Sequence, residues 1–299
     1  MSGNASRKRK SDANWEAQPK REFVYAWDDF ERARRMIRAK AGVTLADHKH
    51  HLVYSRLSKR LRQLGKRTVC EYLDMLEADP LHPEWHDFTS SLTTHLTSFF
   101  REPHHFDLLA HYLQAHRGRP IRIWSSAAST GEEPYSIAMT VAECYKTGQH
   151  TVTIYASDID ERALGVASVG IYPAARVERM AQGRLKRFFL QGTGDNTGLV
   201  RLRPEIRQNM HFFPLNLQHA HWPVEGKFDV IFCRNVMIYF EREDQTKLIE
   251  RLLSKLAPGG LLFLGHSENA QCVGKRLTLI GKTAYQLVER VAARREGVQ

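Results

Sequence analysis

The sequence predicts an α/β fold on a mostly parallel sheet, preceded by a small all-α domain. Two observations carry that expectation. From Ile121 onward, short apolar runs alternate with helical patterns, as in consecutive βαβ units. Before that, residues 23–94 keep their apolar residues at helical spacing, without strand-like alternation.

The opening α/β unit is Ile121–Glu143, IRIWSSAASTGEEPYSIAMTVAE. Ile121, Ile123 and Trp124 form a short apolar run of the kind buried in parallel sheets. A loop of small residues follows to Gly131, then a helical pattern through Tyr135, Ile137, Ala138, Val141 and Ala142. Small residues admit a ligand to the backbone, and a helix start offers free N–H groups. An ordinary βα turn has the same outline, and GxGxxG is absent.

Later elements follow in order. Val152–Ala156 reads as a second strand ending in Ser157–Asp158–Ile159–Asp160. An acid there suits ribose hydroxyls, or caps the next helix. Residues 170–211 break the rhythm: GTGDNTG, flanked by FFL and LVRLR, reads as a hairpin inserted at about 186–211. It is either a neutral insertion or an edge that can accept a peptide strand. Phe228–Cys233 is a third strand, and Leu261–Gly265 another after the helix-stop APGG. Residues 277–288 read as a terminal antiparallel pair, more methyltransferase-like than dehydrogenase-like.

In the helical region, Asp28 or Asp29 is placed to cap DDFERARRMIRAKAG. A second helix follows Asp47, with Leu52, Leu57, Leu61 and Leu64 as its core stripe and Arg56, Lys59, Arg60 and Arg62 on its polar side. Tyr72–Leu76 and Trp85–Leu92 suggest two more helices. The implied domains are a basic disordered tail at 1–22, the helical domain at 23–92 and a linker at 93–105. The α/β domain then spans 106–290, with a tail at 291–299.

Composition limits the function classes. The net charge is +11, and residues 30–67 hold twelve bases against two acids, so one end is built to meet something acidic. No apolar run spans a bilayer and no secretory signal is visible. The four cysteines form no CxxC and the fifteen histidines no HExxH, so reduced thiols, a cytoplasmic location and no metal site are expected.

Six separate stretches together resemble the CheR family of chemotaxis receptor glutamate methyltransferases. They are LTSFFRE (96–102), SAASTGEEPYSIA (126–138), ASDID (156–160), PLNL (214–217), FCRNVMIYF (232–240) and GHSEN (265–269). AGVTLADHKHHLVYSRL (41–57) is similar to that family's N-terminal domain. The resemblance implies an S-adenosylmethionine-dependent, Rossmann-like methyltransferase domain with a small antiparallel β-subdomain. It further implies S-adenosylhomocysteine as product and the formation of glutamate methyl esters on chemotaxis receptors, the modification that serves sensory adaptation.

Carried over by position, the cofactor contacts are Thr97, Arg101, Glu132, Asp158, Asn216, Leu217, Arg234 and Asn235. The family commonly has Asn where this chain has His95, so no contact is assigned there. Arg101 and Tyr239 are the candidates to hold the acceptor carboxylate, with cofactor positioning as the alternative for Arg101. A receptor glutamate, with a pKa near ~4.3, is already ionised and needs no general base. Receptor methylation helices are expected to meet Arg56, Lys59, Arg60 and Arg62. A receptor C-terminal peptide would meet Gly192, Gly194, Gly198 and Arg201. The expected protein is a monomer without nucleic-acid or membrane-inserting partners. An RNA methyltransferase of the same fold and a non-catalytic receptor adaptor are the competing readings.

Overall fold

A computed structural model describes residues 22–93, 96–145 and 151–288. The expected tail at 291–299, all but residue 22 of the one expected at 1–22, and His95 lie outside these residues. The chain divides into two compact units, one holding Leu45–Leu92 with the chain up to Lys40, the other Ala41–Thr44 with the chain from Thr93.

The first unit is helical: α1 (Trp27–Ala41), α2 (His50–Leu64), α3 (Val69–Ala78) and α4 (Glu84–Leu92). Asp29 starts α1 by accepting the Ala26 N–H at 2.8 Å, and Thr68 caps α3 by accepting the Glu71 N–H. Gly65, at φ 65°, closes α2 in the left-handed conformation that glycine adopts without strain. Phe30, Ile37, Leu57, Leu61, Tyr72 and Phe88 are fully buried. The buried stripe of α2 is Val53–Leu57–Leu61; Leu64, expected to extend it, is exposed. It lies in the last turn before Gly65, where the helix ends.

The second unit carries a seven-stranded sheet of order β6-β2-β1-β7-β8-β10-β9. Its strands are β1 (Ile121–Ser125), β2 (Val152–Asp158), β6 (Met210–Pro214), β7 (Phe228–Cys233), β8 (Leu256–Leu264), β9 (Leu277–Gly281) and β10 (Ala284–Leu287). The first five are mutually parallel, while β10 runs antiparallel to both β8 and β9. The terminal hairpin is therefore present. α5 (His104–Ala115) and α6 (Glu132–Cys144) contribute to the core on one face, and α9 (Arg242–Lys255) to the core on the other. The chain turns from β1 to β2 on one side and returns through β7 on the other. That places the switch point of the fold between β1 and β7, at their carboxyl ends.

Two expectations need correction. APGG lies within β8 rather than before it, where the β7–β8 register shifts between Phe228 and Val230. The insert is a three-stranded sheet, β3-β5-β4, not a hairpin confined to about 186–211. β3 (Ile171–Pro173) pairs antiparallel with β5 (Leu199–Leu202), which also pairs with β4 (Phe189–Gln191). α7 (Glu161–Val169) precedes β3 and α8 (Gln182–Phe188) precedes β4, while residues 210–214 belong to the main sheet as β6.

Candidate active site

A cleft opens at the carboxyl ends of β1, β2 and β7, with about 900 Å³ of space including its mouth. The floor is the loop after β1. Ser126 N–H donates to the Phe232 carbonyl at 2.9 Å and Ala128 N–H to that of Ser157 at 2.8 Å, so the loop is tied to both neighbouring strands. Gly131, at φ 100°, starts α6 where a Cβ would come within 2.8 Å of Ala167 and the Tyr172 hydroxyl. Ser129 adopts φ 49° and donates its N–H to Asp158 Oδ2 at 2.7 Å. Asp158 Oδ1 accepts the Asp160 N–H, while Asp160 caps α7 through the N–H groups of Arg162 and Ala163. The two acids thus divide the alternatives open in the sequence: Asp158 lines the cleft and Asp160 caps a helix.

Thr97, Arg101, Asp158 and Asn216 line this one cleft, and so do Leu217, Arg234, Asn235 and Tyr239. Glu132 does not. It is fully buried, accepts the Thr130 hydroxyl at 2.6 Å and has Arg176 at 3.5 Å. The acid in the lining is its neighbour, Glu133. Two consecutive residues at a helix start point about 100° apart, and spacing alone could not say which faces the cleft.

Glu133 anchors a buried network. Its carboxylate accepts the Ser125 hydroxyl at 2.7 Å and Arg234 Nη1 at 2.9 Å. Arg234 Nη2 donates to the Arg101 carbonyl at 2.5 Å and lies 3.4 Å from Glu102 Oε2. Burial pushes Glu133 up, against the pull of Arg234 and Ser125. Burial also opposes the charge on Glu102, but Arg234 and the His266 N–H outweigh it and hold that carboxyl below the usual range. Arg234 thereby fixes the segment from which Arg101 projects. Arg101 itself donates to the Leu96 carbonyl at 2.8 Å.

Phe99 packs edge-on against Tyr172 and Phe189 of the small sheet, and Phe100 against Phe106 of α5. Ala41 and Val43 complete one wall, and the Thr44 N–H donates to the Tyr239 carbonyl at 2.7 Å. Among described non-glycine residues, positive φ occurs at Phe100, Glu102, Ser129, Asn235 and Thr283. Ser129 and Asn235 line the cleft, Glu102 belongs to the network behind it and Phe100 precedes Arg101, so four of the five lie at or next to the site, where backbone strain commonly concentrates. Cys233 offers no nucleophile: it is buried in β7, and burial followed by the Glu268 charge pushes its thiol up.

The predicted receptor-facing residues are dispersed. Arg60 is turned inward, with its side chain 15% exposed, and pairs with Glu84 at 2.6 Å and Asp87 at 3.0 Å. Arg56 donates to the Ser91 carbonyl and Arg62 pairs with Glu22, whereas Lys59 is exposed. A uniform cationic face is therefore not what α2 presents. Its acids come from 24 and 27 positions away for Arg60 and 40 for Arg62, beyond any local charge pattern. Gly192, Gly194 and Gly198 lie in or beside the β4–β5 connection, with Gly194 at φ 57° and Gly198 at φ 86°. Arg201 is exposed on β5, the middle strand, so the free edges of the small sheet are β3 and β4.

The donor set suits S-adenosylmethionine: a carboxylate at the end of β2, asparagine amides, and apolar walls from Leu215, Leu217, Val236 and Phe240. A mostly parallel sheet closed by an antiparallel hairpin, with this cleft at its switch point, defines an S-adenosylmethionine-dependent methyltransferase. Residues 95–286 match the family model described as CheR methyltransferase, SAM binding domain, and residues 28–93 match CheR methyltransferase, all-alpha domain. The chain belongs to the CheR methyltransferase family.

Its relatives agree. It is 48% identical over 258 residues to the chemotaxis protein methyltransferase of Escherichia coli K12, covering 86% of this chain and 90% of that one. Chemotaxis protein methyltransferase 2 of Pseudomonas aeruginosa is 48% identical over 266 residues, covering 88% and 94%. The chemotaxis protein methyltransferase of Salmonella typhimurium LT2 is 45% identical over 258 residues, covering 86% and 89%.

Proposed function

We propose that the protein is a glutamate O-methyltransferase that esterifies side-chain carboxylates of chemotaxis receptors. The observation that carries this reading is one cleft gathering Arg101, Asp158, Asn235 and Tyr239 in a chain 48% identical to a chemotaxis protein methyltransferase. S-adenosylmethionine, held by Asp158, Asn216 and Asn235, would supply an electrophilic methyl for a carboxylate oxygen, the C–S electron pair staying on sulfur as the C–O bond formed. A cation and an anion become two neutral products, and no proton moves.

The protein's tasks are therefore alignment and drying. Asp158 holds the ribose hydroxyls, with Ser129 and Asp160 N–H groups fixing its carboxylate. Arg101 and Tyr239 orient the acceptor so that its oxygen approaches within about 3–3.5 Å of the methyl carbon. Arg234 acts behind them, setting the backbone of Arg101. Arg101 spends one N–H on Leu96 and retains others for a carboxylate.

Receptor capture follows from the small sheet and the helical unit. A receptor C-terminal peptide adds as a strand to β3 or β4, with Arg201 one strand inward to meet its acidic groups. Lys59 is the exposed cation of α2 best placed to meet a glutamate-rich helix. Tethering of this kind raises the effective concentration of the acceptor without altering the chemistry. The protein works in the cytoplasm as a monomer. Among the described residues no helix is long and apolar enough to cross a membrane.

The test is incubation with methyl-labelled cofactor and receptor-bearing membranes. Label released by mild alkali, and lost with Arg101→Ala, supports the ester. Alkali-stable label, or label on RNA, refutes it.

A further inference from the structure

Behind the cleft stands a second buried acid, Glu268, 6% exposed and outside the cleft lining. Its two oxygens receive four backbone N–H groups. Oε2 accepts from Gly265 at 2.6 Å and Asn235 at 2.9 Å. Oε1 accepts from Met237 at 2.8 Å and, more weakly, from Ile238 at 3.4 Å. Three of these donors belong to the turn after β7, the turn that aims Asn235, Val236 and Tyr239 at the cleft.

That turn is not self-supporting. Asn235 sits at φ 56°, a conformation non-glycine residues rarely adopt. The one-turn helix Met237–Tyr239 has no capping side chain of its own at Val236. Its first N–H groups need an acceptor from elsewhere, and Glu268 is that acceptor. The fit against β8 is close. A Cβ on Gly265 would lie 2.8 Å from both Asn235 N and Glu268 Oε2, and would strike Asn235 Nδ2.

We propose that Glu268 is a positioning residue for methyl transfer, moulding the Asn235–Tyr239 turn so that Asn235 and Tyr239 meet cofactor and acceptor in one fixed arrangement. A carboxylate is required rather than any polar group of that shape. Both oxygens accept, whereas a glutamine would turn an NH₂ toward N–H donors. The inference rests on the proposed methyl transfer for its activity readout, but not for its binding readout.

The test compares Glu268→Gln with Asp229→Asn. Asp229 is the equivalent buried acid at the opposite end of β7, accepting the Arg122 N–H at 2.8 Å and Arg119 at 2.6 Å, and it does not line the cleft. Both variants should lower the thermal midpoint. Only Glu268→Gln should weaken S-adenosylhomocysteine binding by calorimetry, and it should lower kcat for receptor methylation, each by about tenfold or more. If Glu268→Gln binds and turns over like Asp229→Asn, the positioning role is wrong. Should Glu268→Gln not fold, Gly265→Ala decides, since its Cβ presses on both Asn235 and the Glu268 carboxylate and disturbs their fit without removing the acid. Folded Gly265→Ala with wild-type binding and kcat overturns the inference. Wild-type protein that binds S-adenosylhomocysteine but never labels receptors would sink the proposed substrate instead, leaving the binding comparison intact.

Discussion

Replacing Arg234 with methionine should be among the most damaging single changes in the molecule. Its side chain is 2% exposed and lies between two acids, Glu133 at 2.9 Å and Glu102 at 3.4 Å, while also holding the Arg101 carbonyl. Methionine fills a similar space but leaves Glu133 buried without its cation. Breaking a buried pair from one side costs about 3–5 kcal/mol, because the remaining charge is stranded. Set against a domain stability of about 5–15 kcal/mol, that is a large share. The double variant Glu133→Gln/Arg234→Met removes the more buried of the two charges, leaving Glu102 with the His266 N–H. It should recover a coupling energy of about 1–3 kcal/mol relative to the sum of the single changes. Urea unfolding of the four proteins, followed by fluorescence and circular dichroism, measures the cycle. Arg234→Met within about 1 kcal/mol of wild type, or a double variant no better than additive, would refute the buried-network account.

Other expectations follow from the same geometry. Asp158→Ala should weaken S-adenosylhomocysteine binding at least tenfold, about 1.4 kcal/mol, as read by calorimetry; unchanged affinity removes Asp158 from the site. His105 is fully buried, and burial followed by the Arg234 charge depresses its imidazole to about 4. The unfolded chain therefore binds the extra proton first, and stability falls as pH drops from about 6.5 toward 4, by about 3 kcal/mol. Burial raises Glu133 and Glu268, which act in the opposite sense, so the diagnostic is the flatter acid limb of His105→Gln relative to wild type. In the helical unit, Arg60→Met should cost about 3–5 kcal/mol by stranding Glu84 and Asp87. Lys59→Glu should leave stability within about 0.5 kcal/mol and lower receptor methylation at low salt. Equal effects of the two changes on stability would contradict the inward placement of Arg60.

The sequence made the β1–loop–α6 unit legible because an apolar run, a tract of small residues and a helical period meet there within 23 positions. β6 was hidden: MHFFP is five residues long, ends in proline and lacks clear alternation. β3, only IYP, was shorter still, so the insert read as a hairpin. Most of the cleft residues in the recognised motifs were readable one by one, but Glu132 was read in the place that Glu133 occupies. What held them was not. Glu133 pairs across 101 positions with Arg234, and Glu268 supports Asn235 across 33. Local pattern carries no trace of such partnerships. The same blindness affected α2, where a row of cations suggested an open face and tertiary pairing turned Arg60 inside.

Ala41 and Val43 form part of the cleft wall, and Thr44 is hydrogen-bonded to the strand-end turn through Tyr239, although all three precede most of the helical unit in the chain. The border between the two family models near residue 94 is thus not a place where the enzyme can be cut. A chain begun there would arrive with its pocket missing a side. Shuffling the residues matched by the all-alpha model between relatives would carry a piece of the cleft wall along with them.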